Sequence, residues 1–530
     1  MSITCSLGAA RDRFVSPPAV KTRRLSGAKL VLHLRLFSFF DLLLQARKPS
    51  GKASDVSLRL KIAQHMSTSI FRLKKAFLRQ GVVVDYDGGV YSLHAAHSDA
   101  RVLLPAAFPL EEKAVRQLMD FAAVRHPDSD AHVCQACATP DFHPGSLAPV
   151  GAIVATTADM VIPQAIGTDI NCGMRLLSTG IPQAQAAAQL PALERQLARL
   201  FLEGGRDVPV SGQAFRALFD VGPAAFIDAV PKTGLWSQAC ADQLQAELAA
   251  CIGLSEFASD SRWAPEALLG ARETIRDPSL GSIGSGNHFV EFQVVDAIFD
   301  RQAAYRLGLK VGHMAVMIHS GSRDVGFYVG QRWMDKAKMA WPVGVKHPQS
   351  GLYALTGPLA DEYLQAMGVA ARYAWLNRVV LGEMVRQTLR DVLHSNDSQM
   401  VVDVPHNVVL QENGLNLHRK GATPARAQDL ALIPGSMGDF SYLVEGLGNP
   451  DWLSSCSHGA GRSVRRQAMR AQKPLPDQEA TWRCLTLREE RRIEEAPQAY
   501  KPVGPVIASQ EAQGMIRTVA RFKPWLTVKA

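Results

Sequence analysis

The segment Ser457-His458-Gly459-Ala460-Gly461-Arg462-Ser463 carries a histidine on a backbone that is almost bare of side chains. Glycines let backbone N–H groups close on a bulky anion such as a phosphate. The imidazole of His458 can serve there as a metal ligand, a general acid or base, or a nucleophile. The guanidinium of Arg462 adds a planar fork that suits phosphate oxygens. The segment therefore indicates phosphate chemistry and leaves the role of His458 open.

Four further segments place metal-ligating side chains beside glycine, asparagine or serine. These segments are Asp169-Ile-Asn-Cys172-Gly173, Gly286-Asn287-His288-Phe289-Val290-Glu291, His319-Ser-Gly-Ser-Arg323 and His406-Asn407. Mixed oxygen, nitrogen and sulfur ligands suit zinc or manganese, and two-metal sites serve phosphoryl transfer. Taken singly, each histidine is more often a satisfied core residue, and the cysteine a small buried one. Their shared setting favours a ligand set of Asp169, Cys172, His288, His319 and His406.

Each of three other motifs can be interpreted either as a functional site or as an ordinary structural feature. Arg419-Lys420-Gly421 sets two cations before a glycine, which suits either a phosphate contact or a solvated turn. The Gly/Ser loop from Pro434 to Ser441 can hold a purine or its phosphates through backbone N–H groups, or can simply be a turn. Cys134-Gln-Ala-Cys137 lacks a second CxxC, which favours two small residues at the start of a buried strand over a zinc site.

The net charge of the 530-residue chain is confined to one end. Residues 1–65 hold 12 Lys+Arg and 3 Asp+Glu, which accounts for the whole net charge of +9. A nucleic-acid-binding surface on the remainder must therefore be a local patch. An Arg-rich, acid-poor start is typical of targeting peptides, but a mis-assigned start with Met66 as the first residue is the favoured interpretation. We expect residues 1–65 to form a disordered basic extension.

Composition and spacing indicate a cytoplasmic protein. The eight cysteines are scattered without the spacing of a disulfide framework, which favours a reducing compartment. The apolar run from Lys29 to Leu44 is interrupted by His33, Arg35 and Asp41, so it is too short and too charged to span a membrane. With 47% hydrophobic and 20% charged residues, the chain has the composition of a globular enzyme.

Periodicity predicts alternating strands and helices around these motifs. Predicted helices cover 109–124 and 360–394, and an Ala/Leu/Gln-rich helical lobe covers about 183–271. A strand, turn, strand pattern is predicted over 132–156, with the turn at 139–145. Predicted strands also cover 174–177, 289–295, 311–318, 400–411, 431–433 and 440–444. A charged, helix-prone linker is expected at about 467–495.

The motifs together resemble the RtcB family of RNA-splicing ligases. The matching stretches are Pro140-Asp-Phe-His-Pro-Gly145, Gly167-Thr-Asp-Ile-Asn-Cys-Gly173, Gly284-Ser-Gly-Asn-His-Phe289, His319-Ser-Gly-Ser-Arg323, His406-Asn407, His418-Arg-Lys-Gly-Ala-Thr423, Pro434-Gly-Ser-Met-Gly438 and His458-Gly-Ala-Gly-Arg462. They occur in the family's order between about residue 110 and the C-terminus. Chance agreement of eight collinear motifs is negligible.

The resemblance implies an α/β fold of mixed α+β type. A single ligase domain over 66–530 would have mixed β-sheets surrounded by helices, a central two-metal cleft and a helical insertion. The implied activity joins RNA 2′,3′-cyclic phosphate or 3′-phosphate ends to 5′-hydroxyl ends, as in tRNA splicing or RNA repair. GTP and two Mn²⁺ ions per subunit are the implied cofactors. RNA is the implied partner of a monomer, and an archease-type accessory protein is a candidate partner.

The resemblance also assigns a role to each motif residue. His458 matches the nucleophile that forms a histidine–GMP intermediate. Asp169, Cys172 and His288 match one manganese site, and Cys172, His319 and His406 match the other, with Cys172 bridging. The guanylate-binding positions matched are Asn287, His288, Glu291, His406, Asn407, Pro434, Gly435, Ser436, Met437, Ser441, Gly459, Ala460, Gly461 and Lys529.

Two departures from the family pattern keep other functions open. Asp324 and Asp439 stand where family members commonly carry small residues, and we expect Asp439 to contact the base or ribose of the nucleotide. A carboxylate there could instead weaken nucleotide binding. The alternatives are therefore a non-ligating RNA-end-binding paralogue, or a metal-dependent cyclic phosphodiesterase on the same scaffold.

Overall fold

The computed structural model describes residues 73–270, 273–471 and 483–530. The expected extension over 1–65 and residues 472–482 of the expected linker lie outside these ranges. The described residues form two large β-sheets with helices packed around them. The expectation of an α/β fold with mixed sheets surrounded by helices is thereby confirmed. No helix among the described residues is both long enough and apolar enough to cross a membrane.

The strands are numbered along the chain. They are β1 (Val83–Asp87), β2 (Val90–Ala95), β3 (Ser98–Leu103), β4 (Val133–His143), β5 (Val150–Thr157), β6 (Met160–Val161), β7 (Gly173–Pro182), β8 (Val210–Ser211), β9 (Thr274–Ile275), β10 (Phe289–Ile298), β11 (His313–Ser320), β12 (Leu355–Thr356), β13 (Gln399–Pro405), β14 (Asn407–Glu412), β15 (Leu415–Lys420), β16 (Ala422–Pro424), β17 (Leu430–Ile433), β18 (Ser441–Gly446), β19 (Ser455–Ser457), β20 (Arg483–Leu485) and β21 (Ile516–Val528).

The α-helices of the described residues are numbered in the same way. They are α1 (Glu112–Ala122), α2 (Pro163–Ile166), α3 (Gln183–Ala188), α4 (Leu190–Leu197), α5 (Gly212–Arg216), α6 (Pro223–Ala229), α7 (Ala241–Glu247), α8 (Glu266–Leu269), α9 (Arg301–Arg306), α10 (Arg323–Met339), α11 (Pro358–Leu393), α12 (Arg466–Arg470), α13 (Glu489–Glu494) and α14 (Val503–Ala512).

The first sheet has the strand order β1-β2-β3-β4-β5-β15-β14, with β3 and β4 parallel and the other neighbours antiparallel. The turn predicted at 139–145 is wrong, because β4 stays extended to His143. The pairing of β4 with β5 shifts between Ala138 and His143, and this irregularity accommodates Pro140, which has no N–H to donate. The strand therefore carries Asp141 and His143 toward the centre of the molecule.

The second sheet has the order β13-β7-β11-β10-β21-β18-β17, and β20 pairs with β21 in parallel. The chain passes between the two sheets at residue 406, since β13 ends at Pro405 in the second sheet and β14 begins at Asn407 in the first. His406 therefore lies at the junction of the sheets, where the chain is buried on every side.

The long helix α11 is the centre of the largest hydrophobic core. Pro358 begins it, since proline's fixed φ and missing N–H suit a first helical turn. The region 183–270 is mostly helical, as predicted, and it packs into the same core as α11. Phe215 of α5, for example, stacks on Tyr373 of α11 with ring centroids 6.4 Å apart. The helical region thus supports α11, and α11 in turn supports the second sheet.

Arg378 of α11 is a fully buried cation that ties three elements together. Its Nη2 atom donates to Asp403 Oδ1 in β13 at 2.7 Å. Its Nη1 atom donates to the carbonyl oxygens of Asn171 at 2.8 Å and Ser320 at 3.1 Å. Arg175 of β7 donates to the other oxygen of Asp403 at 2.9 Å. Because a buried charge is tolerated only when it is paired and hydrogen-bonded, this network fixes the loop before β7 against the end of β11.

Asp403→Asn should therefore destabilise the protein strongly. The substitution leaves two arginines buried beside a neutral amide, and breaking such a pair costs about 3–5 kcal/mol. Urea unfolding followed by tryptophan fluorescence measures the change in the free energy of unfolding.

The matched control is Asp207→Asn, because Asp207 pairs with Arg276 where both side chains are more than half exposed. That change should cost less than about 1 kcal/mol. Equal effects of the two substitutions would show that the Asp403 network does not support the fold.

Candidate active site

The loop over 167–173, between α2 and β7, presents Asp169 and Cys172 to the interior. Asn171 lies between them in the left-handed region, with φ of 51°. The backbone is held by hydrogen bonds from Asn171 N to Asn407 O and from His406 N to Cys172 O, each 2.8 Å long. Gly321 allows the close approach of this loop, since a Cβ there would lie 2.1 Å from Asp169 Oδ1. A constrained backbone of this kind is common at functional sites.

Three histidines at or beside the ends of second-sheet strands converge on this loop. Cys172 Sγ lies 3.1 Å from His288 Nε2 and 3.2 Å from His319 Nε2. His288 Nε2 is also 3.1 Å from Asp169 Oδ2, and His319 Nε2 is 3.2 Å from His406 Nε2. All five residues that the sequence predicted as metal ligands therefore meet in one cluster, with their ligating atoms turned toward each other.

The cluster has the donor chemistry of a metal centre. Burial and the neighbouring imidazoles hold the pKa values of His319 and His406 well below the usual range, so both rings are neutral and have a lone pair to offer a metal ion. Burial and then the Asp169 carboxylate raise the pKa of the Cys172 thiol, and the charges of Arg378 and Lys420 only partly oppose them. A divalent cation would supply further positive charge and would accept the converging lone pairs. The residues present therefore fit one or two ions of borderline softness.

His458 is held by a buried carboxylate that the sequence analysis gave no role. Its Nδ1 atom lies 2.6 Å from Asp141 Oδ2, and Thr139 Oγ1 donates to Asp141 Oδ1 at 2.6 Å. Burial alone would raise the pKa of Asp141, but the hydrogen bond and charge of His458 hold it below the usual range. The Nδ1 proton is thereby fixed, and Nε2 is the free atom of the ring. The ring centroid of His458 lies 4.8 Å from that of His406.

Extended-strand alternation was the signal that could have identified Asp141. Thr139 and Asp141 lie two positions apart in β4, and the hydrogen bond between their side chains shows that they share one face. Because the sequence analysis assigned a turn to 139–145, that face was not recognised. The sequence pattern marked the stretch from Pro140 to Gly145 as a family motif without assigning a function to Asp141.

A cleft of about 530 Å³ opens over the metal-ligand cluster and His458. It lies among loops from both sheets. The predicted site residues that line it are Asp169, Cys172, Asn287, Glu291, His319, His406, Asn407, Pro434, Gly435, Ser436, Met437, His458, Gly459, Ala460, Gly461 and Lys529. His288 and Ser441 do not line it. His288 lies just beneath with its Nε2 in the ligand cluster, and the Ser441 hydroxyl accepts from Gln293 Nε2 at 3.0 Å.

The predicted guanylate-binding residues also hold one another in place. Glu291 accepts hydrogen bonds from Thr527 Oγ1 at 2.5 Å and from Gln293 Nε2 at 2.6 Å, and burial raises its pKa. Lys529 Nζ donates to the carbonyl oxygen of His288 at 3.0 Å. The penultimate residue of the chain is therefore anchored beside the metal-ligand cluster, and its pKa is lowered by burial.

Arg462 does not offer the free phosphate-binding fork that its sequence position suggested. Its Nη1 atom donates to Glu495 Oε2 at 2.9 Å, and its Nη2 atom donates to the carbonyl oxygen of Glu494 at 2.8 Å. The guanidinium therefore fastens the His458 loop to the end of α13. The exposed cations at this side of the cleft are Arg465 and Arg466, and Arg466 Nε also donates to Glu495.

The two cations of the Arg419-Lys420-Gly421 motif have different surroundings: one is buried in the fold and the other lines the cleft. Arg419 is fully buried and forms a bidentate pair with Glu412, at 2.7 and 3.1 Å. Lys420 lines the cleft, and its Nζ donates to the carbonyl oxygen of Ile166 at 2.8 Å. Lys420 therefore remains a candidate for a phosphate contact. The prediction of a phosphate contact is wrong for Arg419, which is buried and paired with Glu412.

The expected contact between Asp439 and a nucleotide is not supported. Asp439 Oδ1 accepts from Phe440 N at 2.8 Å, and Oδ2 accepts from Val503 N at 2.9 Å. Val503 is the first residue of α14, so the carboxylate stabilises a helix N-terminus. Asp324 likewise lies exposed in the first turn of α10. Neither carboxylate lines the cleft.

Comparison with known proteins identifies relatives of the chain. The family model described as tRNA-splicing ligase RtcB matches residues 117–530. The tRNA-splicing ligase RtcB of Pyrobaculum aerophilum is 31% identical over 432 residues, which cover 74% of this chain and 86% of that protein. The RNA-splicing ligase RtcB of Mycobacterium bovis is 32% identical over 433 residues, which cover 74% of this chain and 96% of that protein.

Cys172→Ala should abolish high-affinity metal binding. The substitution removes the thiolate that lies between His288 and His319, and loss even of a residue that only orients a ligand weakens metal affinity about 10–100-fold. Elemental analysis after dialysis against Mn²⁺ or Zn²⁺ measures the bound metal.

The control is Cys137→Ala, because Cys137 is buried in β4 and does not belong to the group of clustered metal-ligating residues. Cys134→Ala provides an exposed control. If either control loses metal to the same extent as Cys172→Ala, the metal site has been misplaced.

Proposed function

The chain belongs to the RtcB family of tRNA-splicing ligases. On that premise we propose that it joins RNA 2′,3′-cyclic phosphate or 3′-phosphate ends to 5′-hydroxyl ends, with GTP consumed through a guanylylated His458. The observation that carries the proposal is the pairing of His458 with the buried Asp141, 2.6 Å away, beside the metal-ligand cluster.

The Asp141 contact prepares His458 for nucleophilic attack. A carboxylate on Nδ1 keeps the proton on that nitrogen and leaves the Nε2 lone pair free for phosphorus. It also stabilises the positive charge that the ring acquires when Nε2 forms a bond. The loop Gly459-Ala460-Gly461 lines the cleft next to His458. Gly461 has φ of 78°, and a Cβ there would lie 2.4 Å from the carbonyl oxygen of Asp141.

The metal ligands suit manganese. Asp169, Cys172 and His288 would hold one ion, and Cys172, His319 and His406 the second. Two such ions neutralise the charge of a phosphate that is being transferred. Support for the assignment comes from the 3.1–3.2 Å separations of the ligating atoms.

The cleft suits a purine nucleotide on one side and a nucleic-acid end on the other. Asn287, Glu291, Met437 and Lys529 line the part nearest the second sheet, where we assign guanosine. A guanine base offers N–H donors to an acidic acceptor such as the buried Glu291. The exposed arginines at the other rim suit the RNA phosphates, which are polyanionic.

Three bond exchanges then complete the reaction. First, His458 Nε2 bonds to the α-phosphorus of GTP, and pyrophosphate leaves. Second, an oxygen of the RNA 3′-phosphate displaces His458 from that phosphorus. Third, the RNA 5′-hydroxyl attacks the activated 3′-phosphorus, its proton is lost to solvent, and GMP leaves. A cyclic phosphate end must first be opened to a 3′-phosphate with one water.

The other candidate functions have less support. Asp324 and Asp439 motivated a non-ligating paralogue, and neither carboxylate lines the cleft. A metal-dependent cyclic phosphodiesterase would not need the His458–Asp141 pair. The proposal extends to a monomer in the cytoplasm, with an archease-type protein as a candidate for an accessory partner.

His458→Ala should eliminate covalent labelling of the protein by GTP labelled at the α-phosphate in the presence of Mn²⁺. No other histidine is proposed to bond to phosphorus, so the loss should be complete while Mn²⁺ binding persists. Acid-labile radioactivity on the denatured protein measures the intermediate. His313→Ala is the control, because His313 begins β11 at a distance from the cleft lining. Covalent GMP on the His458→Ala protein would refute the assignment.

Asp141→Asn should slow guanylylation by about 10²–10⁴-fold while leaving Mn²⁺ binding unchanged. The amide can donate to Nδ1 and so stabilise the wrong tautomer of His458, an effect of that order in other histidine–aspartate pairs. Single-turnover labelling with GTP measures the rate. A rate within about threefold of the unmodified protein would mean that Asp141 only supports the fold.

A further inference from the structure

His143 is a histidine of the cleft to which the proposed chemistry assigns no role. It is the last residue of β4 and lies two positions after Asp141. It lines the cleft together with His458. His143 therefore belongs both to the sequence motif Pro140–Gly145 and to the lining of the cleft.

The hydrogen bonding of His143 defines which nitrogen faces the cleft. Its Nδ1 atom lies 2.7 Å from the carbonyl oxygen of Asp141. Because a carbonyl oxygen can only accept, Nδ1 must carry the proton. The other nitrogen, Nε2, makes no hydrogen bond with any of the described residues. In the neutral ring this atom is a bare acceptor.

The surroundings of His143 keep the ring neutral. Burial lowers its pKa to about 4, with the positive charges of Lys501 and His458 acting in the same direction, although the Asp141 contacts oppose the shift. Lys501 lies directly behind the strand, where its Nζ donates to the carbonyl oxygens of Phe142 at 2.7 Å and Pro140 at 3.2 Å. The acceptor character of Nε2 therefore persists across the physiological pH range.

A bare acceptor in this cleft selects a particular kind of ligand group. A phosphate oxygen carries no proton at neutral pH and would be repelled by the Nε2 lone pair. Nothing indicates a metal ion at His143, because the group of metal-ligating residues that lie close together among the described residues is Cys172, His288 and His319 and does not include His143. Phosphates have other partners on this side, namely the exposed guanidinium groups of Arg465 and Arg466. The group that complements Nε2 is a hydroxyl.

We propose that His143 Nε2 accepts a hydrogen bond from an RNA hydroxyl at the junction being joined, and so orients that hydroxyl in the cleft. The inference rests on the proposed function. The RNA ends supply two such groups, which are the 5′-hydroxyl and the 2′-hydroxyl beside the 3′-phosphate. His143 thereby acts in the RNA steps and is not needed for guanylylation of His458.

Two substitutions separate this role from a structural one. His143→Asn keeps an amide donor for the Asp141 carbonyl oxygen but removes the acceptor in the cleft. His143→Gln places a side-chain oxygen near the position of Nε2. We expect the Asn variant to seal a 3′-phosphate RNA to a 5′-hydroxyl RNA about tenfold more slowly, the effect of one neutral hydrogen bond. The Gln variant should recover to within about threefold, and both should take up labelled GMP within about twofold of the unmodified protein.

The control is His132→Asn. His132 precedes β4, and its Nδ1 atom lies 2.7 Å from the carbonyl oxygen of Asp130, the same local pattern as at His143. His132 does not line the cleft, so this variant should ligate normally. Thermal unfolding of all variants reports any loss of fold.

A substrate with a 2′-deoxy, 3′-phosphate end distinguishes the two hydroxyls. If His143 binds the 2′-hydroxyl, the difference between the unmodified and Asn proteins should disappear with this substrate. If it binds the 5′-hydroxyl, the difference should persist, and guanylylated RNA should accumulate before sealing. Equal ligation by the Asn and unmodified proteins on both substrates would overturn the inference, as would a loss of GMP uptake that matches the loss of sealing. Absence of labelling in the unmodified protein would instead refute the proposed function, and the inference with it.

Discussion

The buried ion pair between Arg378 and Asp403 is the constraint on which the site depends. A guanidinium and a carboxylate that are removed from water must satisfy each other and their remaining hydrogen-bonding groups. Arg378 does so through the carbonyl oxygens of Asn171 and Ser320, which belong to the loop that carries Cys172 and to the strand end that carries His319. The positions of two predicted metal ligands are thus fixed by a cation that never enters the cleft.

The cleft is assembled from both sheets, and each sheet supplies a different part of the chemistry. The second sheet and its loops bring Cys172 and the histidines that we propose as metal ligands together around the passage of the chain at His406. The first sheet supplies β4, whose Asp141 holds His458 and whose His143 presents an acceptor. His406 and His458, with ring centroids 4.8 Å apart, mark the point where the two parts meet. A transferred phosphate in this position would contact groups from both.

Several charged residues beside the cleft support its walls and do not contact its contents. Arg462 and Arg419 are engaged by Glu495 and Glu412, and Asp439 holds the start of α14. Each looked like a phosphate or nucleotide contact in the sequence because it stands next to a glycine-rich loop. The same loops need anchoring, however, since glycines contribute little packing of their own. A charge beside such a loop can therefore serve either purpose, and its partners determine which.

The sequence by itself determined the family, the mixed α/β class, most of the helices and strands, and many of the residues that line the cleft, but it left Asp141 and His143 without a role. These are visible in sequence because periodicity and motif order are local or collinear properties. Whether Asp169, Cys172 and the three histidines would lie within bonding distance of each other depended on the folding of segments up to 237 residues apart, from Asp169 to His406. The tertiary structure also decided that β4 remains extended through Pro140, that Asp141 is the partner of His458, and that Arg462 is occupied. Each of these depends on which groups compete for the same polar atom in space, and sequence spacing does not contain that information.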